Sequence, residues 1–483
     1  MLKYLSTIAF IGSIIIFCSS FSKQADNSAQ IATLPSLKDS SGFKKAALNY
    51  TTYCAGCHGE KMDAFVDRKW KFGNSRKDLF TSIKLGHPNE GMPAFDATFS
   101  DGEIYQISDY ILHGIENVSK YSFNERPSSN IFKTEEMTIR LDTVARGMDV
   151  PWGMAFLPNG DILVTDRNGS FYRVKKDKSL QPIDGAPEVL NRGQGGLMDV
   201  VPDPSFNENK FIYLSYSKFR KEGDAVLATT AIMKAKLEGD KLIEQKDIFV
   251  ALPYSRTQHH YGSRMQFGRD GYLYFSVGER GNEKENPQQI KANDLGKIHR
   301  IKSDGSIPSD NPFVKTKGAE PSIYSYGHRN PQALTIHPLT GKIWETEHGP
   351  RGGDEINVIE PGKNYGWPVI TYGINYNGKI ISTISSKPGM VQPLHYWIPS
   401  IGPSGMAFVT GDRYKSWKGD IMSGSLRFKY LNRSVLKNNK VVKEEILFKN
   451  IGRVRDVRMA PDGYLYIAVE SPGTIYKLVP INE

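Results

Sequence analysis

Along most of this 483-residue chain, apolar positions recur in short alternating or continuous runs, each entered through a turn. The clearest are FLPNGDILVTD (156–166), FGRDGYLYFSVG (267–278), HPLTGKIWETE (337–347) and MAPDGYLYIAVE (459–470). Each has NG, DG or TG in the turn and β-branched or aromatic residues after it, the signature of a β-hairpin. Weaker copies at Leu197–Tyr216 and Met406–Gly424 bring the count to roughly six. Self-similar hairpins predict a closed ring of about six four-stranded blades, an all-β six-bladed propeller, in preference to a pair of β-sandwiches. Uneven spacing puts insertions in the blades, and insertions commonly line one functional face.

The pattern changes toward the amino terminus. Lys3 precedes an apolar run from Ile8 to Phe17, shorter than the roughly 20 residues that cross a bilayer. It reads as an export signal. Further on, Phe43 to Tyr53 has the pattern of a short amphipathic helix. Ser100-Asp101-Gly102-Glu103 looks like a helix start with a capping carboxyl, and Ile104, Ile107, Ile111 and Leu112 follow near helical spacing. The chain therefore divides into a signal (1–22), a flexible polar tether (23–39), a small all-α domain (40–117), a linker (118–135) containing Pro127, Ser128 and Ser129, and the propeller (136–483).

Chemistry enters first at Cys54-Ala55-Gly56-Cys57-His58. CxxCH is the attachment motif of a c-type haem: two thiolates for the porphyrin vinyl groups and an imidazole for the iron. The chain has three cysteines. A disulfide across two intervening residues would be strained, and a zinc knuckle needs further Cys or His ligands nearby. A methionine sulfur as second axial ligand raises the potential into the electron-transfer range. Met92 in Gly91-Met92-Pro93-Ala94-Phe95 is the favoured supplier, with Met62 and His87 as other candidates for the sixth position. The GMPAF segment is similar to the methionine loop of class I cytochromes c, and residues 40–117 resemble one monohaem cytochrome c domain. Such haem attachment occurs outside the bacterial cytoplasm, in agreement with the export signal. The third cysteine, Cys18, closes the apolar run and resembles the lipidated cysteine of a lipoprotein, although Phe17 stands where that pattern has a small residue. An ordinary signal cut near Ser22 is the alternative. The expected location is the periplasm or cell envelope, with membrane association only through such an anchor.

The formal net charge is +10, yet Lys and Arg are scattered without a long basic run, which argues against nucleic acid as a partner. Several Arg residues sit at turns beside small residues, as an anionic small-molecule site requires.

A series of longer motifs carries a second resemblance: GQGGL (193–197), HHYGSR (259–264), VGERGN (277–282), YSYGHRNPQAL (324–334), EHGPRGGDEINVIEPGKNYGWPVITYG (347–373), IPSIGPSG (398–405) and GRVRDV (452–457). In this order they resemble the soluble, propeller-type quinoprotein glucose/sorbosone dehydrogenases, which use pyrroloquinoline quinone (PQQ) with Ca2+. The resemblance implies a general base at His260, with His259 as rival. It implies a polarising Arg329–Asn330 pair and cofactor contacts from Gln194, Ser400, Arg427, Arg453 and Arg455. It also implies a calcium held by the backbone carbonyls of Gly349 and Pro350. Arg427 replaces a family lysine and Ser400 a family threonine. Glu355 resembles a ligand of a second, structural calcium. Glu279 falls where relatives often have Asp, with a role in orienting the base or forming the rim.

These roles suit oxidation of an alcohol or hemiacetal: a neutral imidazole takes the hydroxyl proton, and cations stabilise the developing oxyanion. No side chain accepts hydride, so an organic cofactor must. The expectation is a sugar, alcohol or aldehyde dehydrogenase that passes electrons to its own haem and on to a downstream acceptor. Two other classes remain open, an extracytoplasmic carbohydrate-binding propeller and a calcium-dependent lactonase or other hydrolase, because a propeller fold alone fixes no activity.

Overall fold

The computed structural model describes residues 41–54, 58, 70, 72–88, 92–119, 125–376 and 380–481. Cys18, Cys57, Met62 and the signal and tether lie outside the described residues.

Among the described residues, three helices form the amino-terminal domain: α1 (Ser41–Tyr53), α2 (Arg76–Leu85) and α3 (Asp101–Ser119). α1 buries Ala46 and Tyr50, four residues apart on one face. α3 begins where the capping signal places it, with Ser100 N–H donating to Glu103 Oε2 at 2.9 Å. α2 went unforeseen, although it carries the same signal. Ser75 and Asp78 form a reciprocal capping box, Leu79 and Ile83 face inward, and Gly86 ends the helix at φ 65°. Arg76 clamps α2 to α3 through two hydrogen bonds to Asp109, at 2.6 and 2.8 Å. Tyr50, Cys54, Leu79, Ile83, Phe99, Ile104, Ile107 and Ile111 make the core.

The remainder is the expected six-bladed β-propeller, with six separate antiparallel sheets. The first blade runs Pro151–Phe156, Ile162–Asp166, Phe171–Val174 and Leu180–Pro182, and the next four repeat that meander. The sixth combines Arg453–Met459, Leu465–Glu470 and Thr474–Ile481 with Thr138–Arg146 from the start of the domain, and Ile131–Lys133 adds a fifth strand. Thr138 pairs with Ile481 and Arg146 with Thr474, so the two ends of the propeller sequence close the ring.

Every hairpin read from the sequence joins the first and second strand of a blade. Gly160, Gly271, Gly341 and Gly463 sit in those turns at φ between 73 and 88°, where a β-carbon would be strained. Each pair of neighbouring blades shares one apolar core. Trp344 and Ile356 of the fourth blade, for example, meet Met406, Phe408 and Ile421 of the fifth. Met154 and Val164 of the first meet Ala468 and Ile475 of the sixth. The blades cannot bury their apolar faces alone, so ring closure is itself the core.

Candidate functional site

In a four-stranded meander, the turns between strands one and two lie at one end of the blade. The connections from strand two to three, and from strand four to the next blade, lie at the other. Gln194, His260, Arg329–Asn330 and Ser400 all sit on blade-to-blade connections. Glu279, Gly349–Pro350 and Arg427 follow second strands, and Arg453 opens the first strand of the sixth blade. Topology alone thus gathers residues from five blades at one face.

Hydrogen bonds tie them together. Gln194 Oε1 accepts from His260 N–H at 2.7 Å. Asn330 Oδ1 accepts from Gly262 N–H at 3.1 Å and from Gln332 Nε2 at 3.2 Å. Arg329 Nη1 donates to the carbonyls of His348 (3.0 Å) and Gly349 (2.7 Å), and its guanidinium lies 5.2 Å from the Trp367 ring centre. Ser400 Oγ donates to Pro350 O at 3.1 Å, and Arg427 Nη1 to Ser400 O at 3.1 Å. His348 to Arg351, Asp354, Tyr376, Ser400, Arg427 and Arg453 enclose a cavity of about 480 Å³.

His260 is held in the left-handed region, φ 56°, which costs a non-glycine residue of order 1–3 kcal/mol and marks an over-determined position. Its Nδ1 bonds Glu279 Oε1. Gly278 must be glycine, because a β-carbon there would fall 2.1 Å from His260 O and 3.0 Å from Asn330 Oδ1. Burial, with Arg329 next in weight, pushes His260 well below the usual imidazole range. Burial raises the Glu279 carboxyl to about 7. The His259 ring instead lies against Gly281, where an added β-carbon would be 2.5 Å from Nε2.

Several partners escaped the sequence reading. Glu470 receives Arg453 Nε at 2.6 Å and Arg455 Nε at 2.7 Å, so the two arginines share one strand face and one counter-ion. Asp354 accepts from the backbone of Gly349 (2.9 Å) and Gly402 (2.8 Å), which fixes the Gly349–Pro350 turn against the Ser400 loop. Each of those two carbonyls already takes one side-chain donor and keeps a second lone pair for a hard cation. The oxygen set therefore fits calcium, and the arginines fit an anionic cofactor.

Glu355, which the sequence left without companions, gains them from the neighbouring strand. Glu345, Glu347, Glu355 and Asn357 share one sheet face, with Asn357 Nδ2 at 2.9, 3.4 and 3.1 Å from the three carboxylates. His328, Glu345 and Glu347 bring ligand atoms within 4.8 Å of one another. Glu345 Oε2 and Asn357 Oδ1 are buried without a partner. Burial, and the neighbouring Glu347, push Glu345 and Glu355 well above the carboxylate range. Unpaired buried oxygens among like charges fit a cation. Glu347 Oε2 also accepts from Arg329 N–H at 2.6 Å, so this cluster supports the Arg329–Asn330 pair from beneath.

The described residues of the CxxCH motif, Cys54 and His58, form a separate centre with Met92. Cys54 is buried, and His58 N–H bonds Cys54 O at 2.9 Å, which sets thiol and imidazole one helical turn apart. Met92 packs against the cluster that contains Cys54, so the residues fit a porphyrin. His87 pairs with Met92 through the backbone, at 2.8 and 3.2 Å. Its ring stacks on Phe72 at 3.6 Å, and its Nε2 is buried without a partner.

Residues 148–477 match the family model described as glucose/sorbosone dehydrogenase, and residues 43–111 match the cytochrome c oxidase, cbb3-type, subunit III model. The aldose sugar dehydrogenase YliI of Escherichia coli is 40% identical over 357 residues, covering 71% of this chain and 94% of its own. Quinoprotein glucose dehydrogenase B of Acinetobacter calcoaceticus is 30% identical over 285 residues, 53% of this chain and 59% of its own. Among solved structures, the PQQ-bound aldose sugar dehydrogenase of Streptomyces coelicolor superposes with a TM-score of 0.58 at 27% identity. It covers 72% of this chain and 100% of its own.

Proposed function

The chain belongs to the glucose/sorbosone dehydrogenase family with a cytochrome c domain ahead of the propeller, and from that premise we propose that it is a PQQ- and calcium-dependent dehydrogenase of aldoses or related alcohols and aldehydes that passes electrons to its own haem. The carrying observation is the convergence of a carboxylate-paired imidazole, His260, with Arg329–Asn330 beside a cavity walled by arginines. When bound, PQQ supplies the two-electron acceptor.

The chain's own groups do the rest. Glu279, ionised, accepts Nδ1–H and leaves His260 Nε2 free to take the hydroxyl proton. The pairing with Glu279 favours His260 over His259. Arg329 and Asn330 place donors where an oxyanion develops. Arg427, Arg453 and Arg455 supply positive charge for carboxylates, with Gln194 and Ser400 as neutral contacts. Gly349 and Pro350 offer carbonyl oxygens to calcium, and the Glu355 cluster offers a second cation site. Export, with a lipid anchor at Cys18, places the enzyme outside the cytoplasm.

Purified protein reconstituted with PQQ and calcium should reduce an artificial dye with an aldose in a substrate panel. Dye reduction that proceeds equally without PQQ, or tight glycan binding or lactone hydrolysis with no oxidation, would defeat the proposal.

A further inference from the structure

Ile398 is a propeller residue, yet it packs against the cytochrome core that holds Cys54, as Met92 and Phe95 also do. It lies on the connection between the fourth and fifth blades, two residues before Ser400. We propose that the Ile398 rim is the port through which electrons leave the cofactor cavity for the cytochrome domain of the same chain. The proposal deepens the function given above and rests on it.

Three observations carry the assignment. The first is rigidity on the propeller side. The 398–402 loop is fastened by Ser400 Oγ to Pro350 O, by Arg427 Nη1 to Ser400 O and by Gly402 N–H to Asp354. Contact at Ile398 is therefore mechanically continuous with the turn expected to hold calcium. The second is position: Ser400, Gly402 and Tyr376 all line the cavity. A β-carbon on Gly352 would meet Ile398 Cγ1 at 3.7 Å and Gly373 Cα and Tyr372 O at 3.9 Å. Ile398 thus sits shoulder to shoulder with the segment that leads to Tyr376. The third is chemistry. That segment leaves Tyr376, Ile380 and Ile384 exposed, and the cytochrome exposes Tyr53 and Leu85. Exposed apolar side chains on both partners mark surface suited to an interaction rather than to solvent.

The occupant of the rim is the chain's own cytochrome, which the structure already seats there. The linker confines that domain near the face and keeps its local concentration high. Electron balance sets the traffic. Oxidation of a hemiacetal carbon to a lactone removes two electrons and two protons, whereas ferric haem accepts one electron. Each sugar therefore requires two passages through the contact, and two equivalents of an external one-electron acceptor such as ferricyanide to return the haem to the ferric state.

The test uses the full-length protein with haem attached, loaded with PQQ and calcium, as wild type, Ile398→Glu and Ile398→Leu. A buried carboxylate would break the contact, whereas leucine keeps it. Stopped-flow mixing with an aldose should show haem reduction in Ile398→Glu slowed at least about tenfold, as expected when a tethered encounter becomes unproductive. Turnover with a small-molecule dye should remain at the wild-type rate, and Ile398→Leu should match wild type throughout. Hydrogen exchange supplies a readout independent of turnover: amides of 92–99 and 398–402 should lose protection together in Ile398→Glu only. Haem reduction at the wild-type rate in Ile398→Glu, or unchanged exchange in both segments, overturns the port. Absence of PQQ-dependent dye turnover in wild type would instead defeat the function on which the port rests.

Discussion

The cytochrome domain and the propeller reach their chemistry by opposite routes. In the first, the reactive residues are neighbours in sequence: Cys54 and His58 sit one helical turn apart, and Met92 joins the same apolar cluster. In the second, Gln194, His260, Asn330 and Gly349 come from different connections and meet only because six sheets close into a ring. The small domain has one core, whereas the propeller is held by a core between every pair of blades. Changes at the propeller face away from the Ile398 contact should therefore leave the haem untouched, and changes at the haem should leave dye-linked oxidation untouched.

The largest effect expected is at the proposed base, His260. His260→Gln should lower dye-linked kcat by about 10²–10⁴, the usual worth of a positioned general base, while PQQ binding and the haem spectrum stay as in wild type. A spectral change in the haem would break the separation of the two modules. Glu279→Gln sharpens the same site. Because Glu279 titrates at about 7, the wild-type rate should climb as pH rises through that value. Below it the protonated carboxyl donates to Nδ1 and leaves the proton on Nε2; above it the carboxylate accepts from Nδ1 and frees Nε2. The variant should lose that limb in a kcat/KM profile against pH.

The acidic cluster divides the modules by stability. The unfolded chain loses the Glu345 proton above about pH 4.5, a normal carboxyl value. Burial keeps that proton on the folded protein to a much higher pH. Between those limits the folded state binds more protons, so its stability falls as pH rises. Glu345→Gln should flatten that dependence in chelator-treated protein. Calcium should raise the propeller's Tm more at pH 8 than at pH 5 in wild type, and less so in the variant. The cytochrome transition, followed at the haem band, should move in neither case. Equal shifts in both transitions would show the two modules unfolding as one.

The same contrast explains what could be read before folding. The clearest hairpins were visible because NG, DG and TG turns repeat the same local physics, and all six hairpins join the first two strands of a blade. Yet those turns mark the end of the ring away from the chemistry. The site end carries no repeat, since its loops differ, and only long motifs such as HHYGSR and EHGPRGGDEIN exposed it. Glu470 stayed hidden because it opposes Arg453 across a strand pair. Glu345 and Glu347 stayed hidden because their alternation with Trp344 and Thr346 reads as an ordinary strand, and burial on both faces is a property of the ring. Arg453 and Arg455 could be placed on one face from spacing alone; their shared counter-ion could not. The missed helix Arg76–Leu85 is different in kind, because its S-x-x-D start lay in plain view.

Met92→Ala tests the remaining side of the comparison and should have the smallest effect on oxidation itself. Loss of a thioether ligand lowers the potential of a c-type haem, so redox titration should move the midpoint downward and the visible spectrum should change. Dye-linked turnover should not. His87 makes the measurement discriminating, because its buried Nε2 has no partner and its backbone is paired with Met92. If Met92 is the ligand, His87→Ala leaves the spectrum of the oxidised haem as it is, and only the double variant reaches a five-coordinate spectrum once His87 can no longer swing in. If His87 is the ligand, the single His87→Ala variant changes the spectrum, and Met92→Ala costs only the packing of one partly buried side chain.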